Sequence, residues 1–193
     1  MSNEEIIAYW LTQGVKVTTF SRDVLADFGF QNLTAELLSI VGLPTDAAPY
    51  LSFAESSSDF KRISIAYQQG DEFAHFIKIG FDGAGNPLVI NTKQDDCIQW
   101  LDHEDKFSAH YVNCSLEALT ASLVLYNQFI QQLLATRGPD AYLDADFTDE
   151  QIADLKLALS KVDAQAVAKD GLWQDELTTL LANREYYRTQ NTA

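Results

Sequence analysis

The sequence predicts an α+β fold: a mainly antiparallel sheet of about five short strands set between helical segments. Two observations carry this. The hydrophobic period changes from 3.6 to 2 at about residue 61 and returns to 3.6 at Ser115. The strand-like runs also stand too close together to hold crossover helices, so most neighbours must pair antiparallel. Helices, then a meander, then helices is an α+β plan. With 193 residues the chain suits one domain, 1–193, with a sheet region over about 50–114 and a helical part over about 115–188.

Each element has its own signal. Glu4 to Leu11 is a short amphipathic run that stops at Gly14. A second helix starts near Asn32 or Thr34, carries Leu37, Leu38 and Val41, and ends at Gly42 with Pro44 just beyond. Residues 61–67 alternate, placing Ile63, Ile65 and Tyr67 on one face of a strand, and Phe73, His75, Ile77 and Ile79 repeat the pattern. Here His75 reads as a core histidine with its hydrogen bonds satisfied. Residues 81–87 form a turn in which Gly83 and Gly85 supply positive φ. Leu88-Val89-Ile90, 97–101 and 109–112 complete the strands. From Ser115, Leu116, Leu119, Leu123, Tyr126, Ile130 and Leu133 fall on one stripe, widened by Phe129 and Leu134, which marks the main core helix. Gly138-Pro139 ends it, and 140–147 is an acidic loop. Thr148 and Gln151 form a capping box before Ile152, Leu155, Leu159 and Val162. A last helix carries Trp173, Leu177, Leu180 and Leu181 and frays after Tyr187.

Composition narrows the function. Lys and Arg number 13 against 28 Asp and Glu, a net charge of −15. Such a surface repels nucleic-acid backbones and anionic membranes, so neither is expected as a direct partner. It suits instead an enzyme that acts on nucleic acid, to which carboxylates can be offered where phosphates are expected. The acidic start Met1-Ser2-Asn3-Glu4-Glu5 is unlike a secretion signal, and no apolar run approaches a membrane span, which predicts a cytoplasmic protein. Cys97 and Cys114 make neither a disulfide scaffold nor a metal knuckle and read as small buried residues.

Catalytic patterns fail one by one. The loop Gly80-Phe81-Asp82-Gly83-Ala84-Gly85 is followed by Asn86-Pro87, where a phosphate loop needs Lys and a hydroxyl and a dinucleotide loop needs a helix. Asp144, Asp146 and Thr148 have the first spacings of a calcium loop, but Asp149 replaces its glycine and Leu155 its bidentate glutamate. Ser39 and Ser115 lack the glycines of a nucleophile elbow, and nothing marks either thiol as activated by His103. The expectation is therefore no enzyme, no metal and no cofactor. The densest polar stretch, Asp95-Asp96 followed by Asp102-His103-Glu104-Asp105, straddles a turn where solvated charge is ordinary; its acids Asp95, Asp96, Asp102, Glu104 and Asp105 are the candidate partner-contact set, and His110 shows no evident partner.

The β-region resembles a known group. Gly42-Leu43-Pro44, then Ile79-Gly80-Phe81-Asp82-Gly83-Ala84-Gly85-Asn86-Pro87, then Trp100-Leu101-Asp102-His103-Glu104, then Tyr111-Val112-Asn113-Cys114-Ser115-Leu116-Glu117 resemble, in order, the motifs of the SUKH superfamily of Smi/Knr-type proteins. Gly171-Leu172-Trp173-Gln174-Asp175-Glu176-Leu177 is similar to a helix start in its fourth immunity-protein subgroup. Phe81 stands where Ser or Thr is commoner, and Ala84 replaces a middle glycine. The resemblance implies a strongly curved, mainly antiparallel sheet of about five to six strands packed by helices. It implies that Gly80, Asp82, Gly83, Gly85, Pro87, Trp100, Asn113, Ser115 and Trp173 define the fold, with Asn113 and Ser115 capping the long helix. It further implies a non-catalytic immunity protein that occludes a bacterial toxin domain of nuclease or deaminase type. A housekeeping adaptor of the Smi/Knr type is the other expectation.

Overall fold

A computed structural model of the chain describes residues 1–168 and 171–190. Among the described residues there are seven α-helices: α1 (Asn3–Thr12), α2 (Arg22–Leu25), α3 (Asn32–Ile40), α4 (Ile63–Ala66), α5 (Leu116–Arg137), α6 (Asp149–Val162) and α7 (Leu172–Gln190). Two small strands, β1 (Val17–Thr18) and β2 (Leu43–Pro44), pair antiparallel near the start. The main sheet has seven antiparallel strands, more than the five or six expected. They are β3 (Asp46–Ala47), β4 (Leu51–Phe53), β5 (Lys61–Arg62), β6 (Phe76–Phe81), β7 (Pro87–Asn91), β8 (Cys97–Asp102) and β9 (Ser108–Asn113). Their order is β3-β4-β6-β7-β8-β9, with β5 pairing β6 beside β4.

The register explains the hydrophobic alternation. Ile77 faces Ile90, and Ile90 faces Ile98 on the next strand, so these side chains share a face. With Ile79, Leu88 and Val112 they join α5 in a core that runs from Ile6 on α1 to Leu180 on α7. The opposite face of the sheet has its own small core of Ile63, Phe76, Val89 and Leu101, edged by Tyr67, Phe73 and Phe107. At Gly80 a side chain would collide with the carbonyl oxygen of Ser52, because β4 crosses β6 at that point.

The second core corrects the expected strand over 61–67. Only Lys61 and Arg62 are extended, and Ile63–Ala66 turns into α4. Ile63 is fully buried whereas Ile65 is 69% exposed, so alternation does not hold. Ile63 and Tyr67 are four residues apart and pack together as a helical pair. The strand expected from Phe73 begins at Phe76, and residues 71–73 form a 3₁₀ turn. α2 had no expectation attached to it. The last helix runs on to Gln190 instead of fraying after Tyr187, and residues 191–193 lie outside the described residues.

α5 is the spine. Ser115 caps it as expected, its hydroxyl accepting from the Ala118 amide. Sheet residues cover one side of the helix, while Ile152, Leu155 and Leu159 of α6 join the same core, so α5 is buried over most of its girth. Asn113 does not cap the helix. Its amide lies fully buried, donating to Ser122 Oγ and Asp163 Oδ2 and accepting from the indole Nε1 of Trp173 at 2.9 Å. Asp163 also accepts from the Tyr111 hydroxyl and the Cys114 amide, at 2.8 and 2.7 Å. One polar cluster thus ties β9 and the start of α5 to the segment after α6 and to α7.

Candidate functional site

Three loops meet at one end of the sheet. They are the β3–β4 tip (residues 48–50), the β6–β7 turn (82–86) and the β8–β9 loop (103–107). Asp82 builds the turn. Its Oδ1 accepts from the Ala84 and Asn86 amides, and its Oδ2 accepts from Asn86 Nδ2. Asn86 is buried, and its Oδ1 receives the His103 amide and sits 2.7 Å from His103 Nδ1, which joins the turn to the third loop. Gly85 has φ of +89° as expected. Gly83 does not take positive φ. Its importance is space, since a Cβ there would stand 3.1 Å from Tyr50 Cβ, and this contact joins the turn to the hairpin tip.

The structure splits the expected acidic set. Asp95 and Asp96 precede β8 and Asp102 ends it, so they lie at opposite ends of a six-residue strand, about 17 Å apart. Asp96 is buried, and its Oδ2 accepts from the Gln31 amide at the start of α3. It holds α3 against the sheet and is no partner contact. Asp95 is exposed, with Oδ1 near Gln31 Nε2 at 3.3 Å. Both occupy left-handed backbone, at φ of +51° and +59°. Asp102 turns back on its own loop, accepting from the Glu104 and Asp105 amides. Glu104 and Asp105 are exposed, and among the described residues their side chains make no hydrogen bond or ion pair; Asp46, also exposed at this end, accepts from Ser52 Oγ.

The remaining candidates have structural roles or none. His75 is half-buried outside any strand, and its Nδ1 finds no hydrogen-bond partner, so it is not the satisfied core histidine expected. Burial, aided by Lys93, holds its pKa below the ordinary histidine value. His110 stacks on Trp100 at 4.1 Å between ring centroids. Cys97 is buried and its thiol is pushed up to about 11, first by burial and then by Asp95 and Asp96. Cys114 is exposed rather than buried, and its pKa is raised as well, again chiefly by desolvation. Neither thiol is an activated nucleophile. Among the described residues, no group of three or more His, Cys, Asp or Glu could hold a metal ion, and no helix is long and apolar enough to cross a membrane.

Behind the hairpin tip lies a cleft that sequence reasoning missed. Trp10, Ala47, Tyr50, Leu51, Gly83 and Tyr142 line it, with a volume of about 510 Å³. Its parts come from five segments, Asn127 of α5 included, and only the turn glycine carried a sequence signal. Beneath it the Tyr142 hydroxyl lies 3.0 Å from that of Tyr126, which donates to Glu176 Oε1. Burial raises the Glu176 pKa above the ordinary glutamate value, against the opposing pull of the Tyr126 hydrogen bond. A raised folded-state pKa means the folded protein binds this proton more tightly, so the associated stability is present at low pH and lost as pH rises through the folded value. Glu176→Gln is therefore expected to gain stability relative to the native chain between about pH 4 and pH 7, checked by urea unfolding at both ends of that range.

A family model described as SUKH-4 immunity protein matches residues 8–180. No curated protein and no solved structure matches the chain. The matched span runs from α1 through the sheet to the buried face of α7, and so takes in the turn, the β8 and β9 motifs and Trp173. With most of its length covered, the chain belongs to the SUKH-4 immunity protein family.

Proposed function

We propose that this protein is a non-catalytic immunity protein that binds a cognate toxin domain of nuclease or deaminase type and occludes its active site, acting in the cytoplasm as one domain. Family membership over residues 8–180 carries the reading. The acidic loop end supports the contact surface. Glu104, Asp105 and Asp46 present exposed carboxylates that form no ion pair among the described residues, which suits a basic cleft built for nucleic acid. Asp95 is exposed at the opposite end of β8 and would reach the same partner only across a wider contact.

The test is affinity capture of the tagged protein from its native cells at two salt concentrations, followed by expression of the captured partner in cells with and without this protein. The expected result is one near-stoichiometric partner that is toxic only in cells lacking this protein, held less tightly at high salt. Glu104→Gln with Asp105→Asn should slow association about tenfold at low salt and leave dissociation little changed. A complex indifferent both to salt and to this double substitution would refute the acidic contact. A spread of endogenous partners with no toxic member would favour the adaptor role.

A further inference from the structure

We infer that the cleft behind the β3–β4 tip is the anchor site of the complex, and that it takes a cationic loop of the partner carrying one large apolar side chain. This deepens the immunity reading and rests on it for the identity of the partner.

Four observations point there. First, Tyr50 is 72% exposed, although tyrosine is a residue whose ring is normally at least partly covered. Second, its backbone is left-handed at φ of +56°, an uncommon state for a bulky residue that the surrounding fold must impose. The bare backbone of Gly83 leaves just enough room for it. Third, the walls are mainly apolar, with Trp10, Ala47 and Leu51 lining them beside the polar Asp46, Ser52 and Asn127. A volume of about 510 Å³ exceeds that of a single large side chain and falls in the usual range of binding clefts.

The fourth observation is charge, and it selects the occupant. The two cations nearest in sequence to the cleft walls are already neutralised, Lys16 by Glu55 at 2.9 Å and Arg137 by Asp146 at 2.8 Å. Asp46 lines the cleft, and among the described residues it forms no ion pair. A mainly apolar cleft with an unpaired carboxylate in its wall complements an apolar side chain beside an Arg or Lys neighbour and rejects an acidic loop. A rigid exposed tyrosine at the lip is the residue type that dominates such contacts.

The experiment uses the full chain, labelled with nitrogen-15 and titrated with a short synthetic peptide of alternating arginine and leucine, then with its glutamate–leucine counterpart. Shift changes are expected at 46–52, Gly83 and Tyr142 with the first peptide only. Tyr50→Ser should weaken that binding about tenfold or more at an unchanged melting temperature, because the ring it removes is exposed. Changes centred on α6, α7 or residues 103–107 would overturn the assignment, as would equal response to the acidic peptide. A protection assay separates the two claims. If the native chain protects cells and Tyr50→Ser does not, the cleft serves immunity. If the peptide seats in the cleft while the native chain protects against no toxin, the immunity reading falls and the cleft stands as a site for cationic protein loops. If Tyr50→Ser protects as well as the native chain, the cleft is not the anchor.

Discussion

Asp163→Ala is expected to destabilise the protein by about 3–5 kcal/mol, because it strips the acceptor from four donors at once, among them the fully buried Asn113 amide. The losses are the Tyr111 hydroxyl, the Asn113 amide and the Cys114 and Gln165 backbone N–H groups. The Asn113 amide is fully buried and cannot turn to water without breaking the packing between β9 and the segment after α6. A chain of this size should then melt roughly 10 °C lower, as scanning calorimetry would show. Asp163→Asn keeps an oxygen for part of the set and should lose less. A melting point within a degree or two of the native one in Asp163→Ala would mean that the cluster contributes little.

Trp173→Ala removes the largest buried side chain of α7 and should cost about 3–5 kcal/mol. The indole is fully buried, packs at 5.7 Å from the Tyr126 ring and donates to Asn113. Trp173→Phe separates the two contributions. It keeps most of the apolar burial and leaves Asn113 Oδ1 without its donor, for about 1–2 kcal/mol. The double variant Asp163→Ala with Trp173→Phe should cost less than the two losses added, since both changes disable the same asparagine. Strict additivity in urea unfolding would show that the two residues act independently.

The cluster also shows what was legible in the sequence and what was not. Ser115 was readable as a helix cap because capping is local, a hydroxyl reaching an amide three residues on. Asn113 was assigned the same job through the family resemblance, yet two of its partners lie 50 and 60 residues downstream. No local rule reaches that far. The strands β7 to β9 and the helices α1, α3, α5 and α6 were readable because each shows enough of its period to exclude the other. Residues 63–67 were not, since a spacing of four residues fits both a helix turn and two strand repeats. Burial alone decides, with Ile63 inside and Ile65 out.

The same limit explains the loop end. The run from Asp95 to Asp105 looked like one acidic cluster because charge was read along the chain, whereas β8 carries the chain across the whole sheet between its halves. Asp82 was recognisable as a turn former, and Gly85 as a left-handed glycine. Gly83 was misread, because the need it meets is room for a tyrosine 33 positions earlier, not a backbone angle. The cleft lined by Tyr50 had no sequence signature beyond that glycine.

The placement of Asp163 and Trp173 also sets the order in which the molecule can mature. Synthesis runs from the N-terminus, so the sheet and α5 leave the ribosome first, and the amide of Asn113 must wait 50 residues for Asp163 and 60 for the indole. At about 5–20 residues per second this is an interval of roughly 3–12 s. During it the nascent chain shows the chaperones and proteases of the cell an uncovered α5.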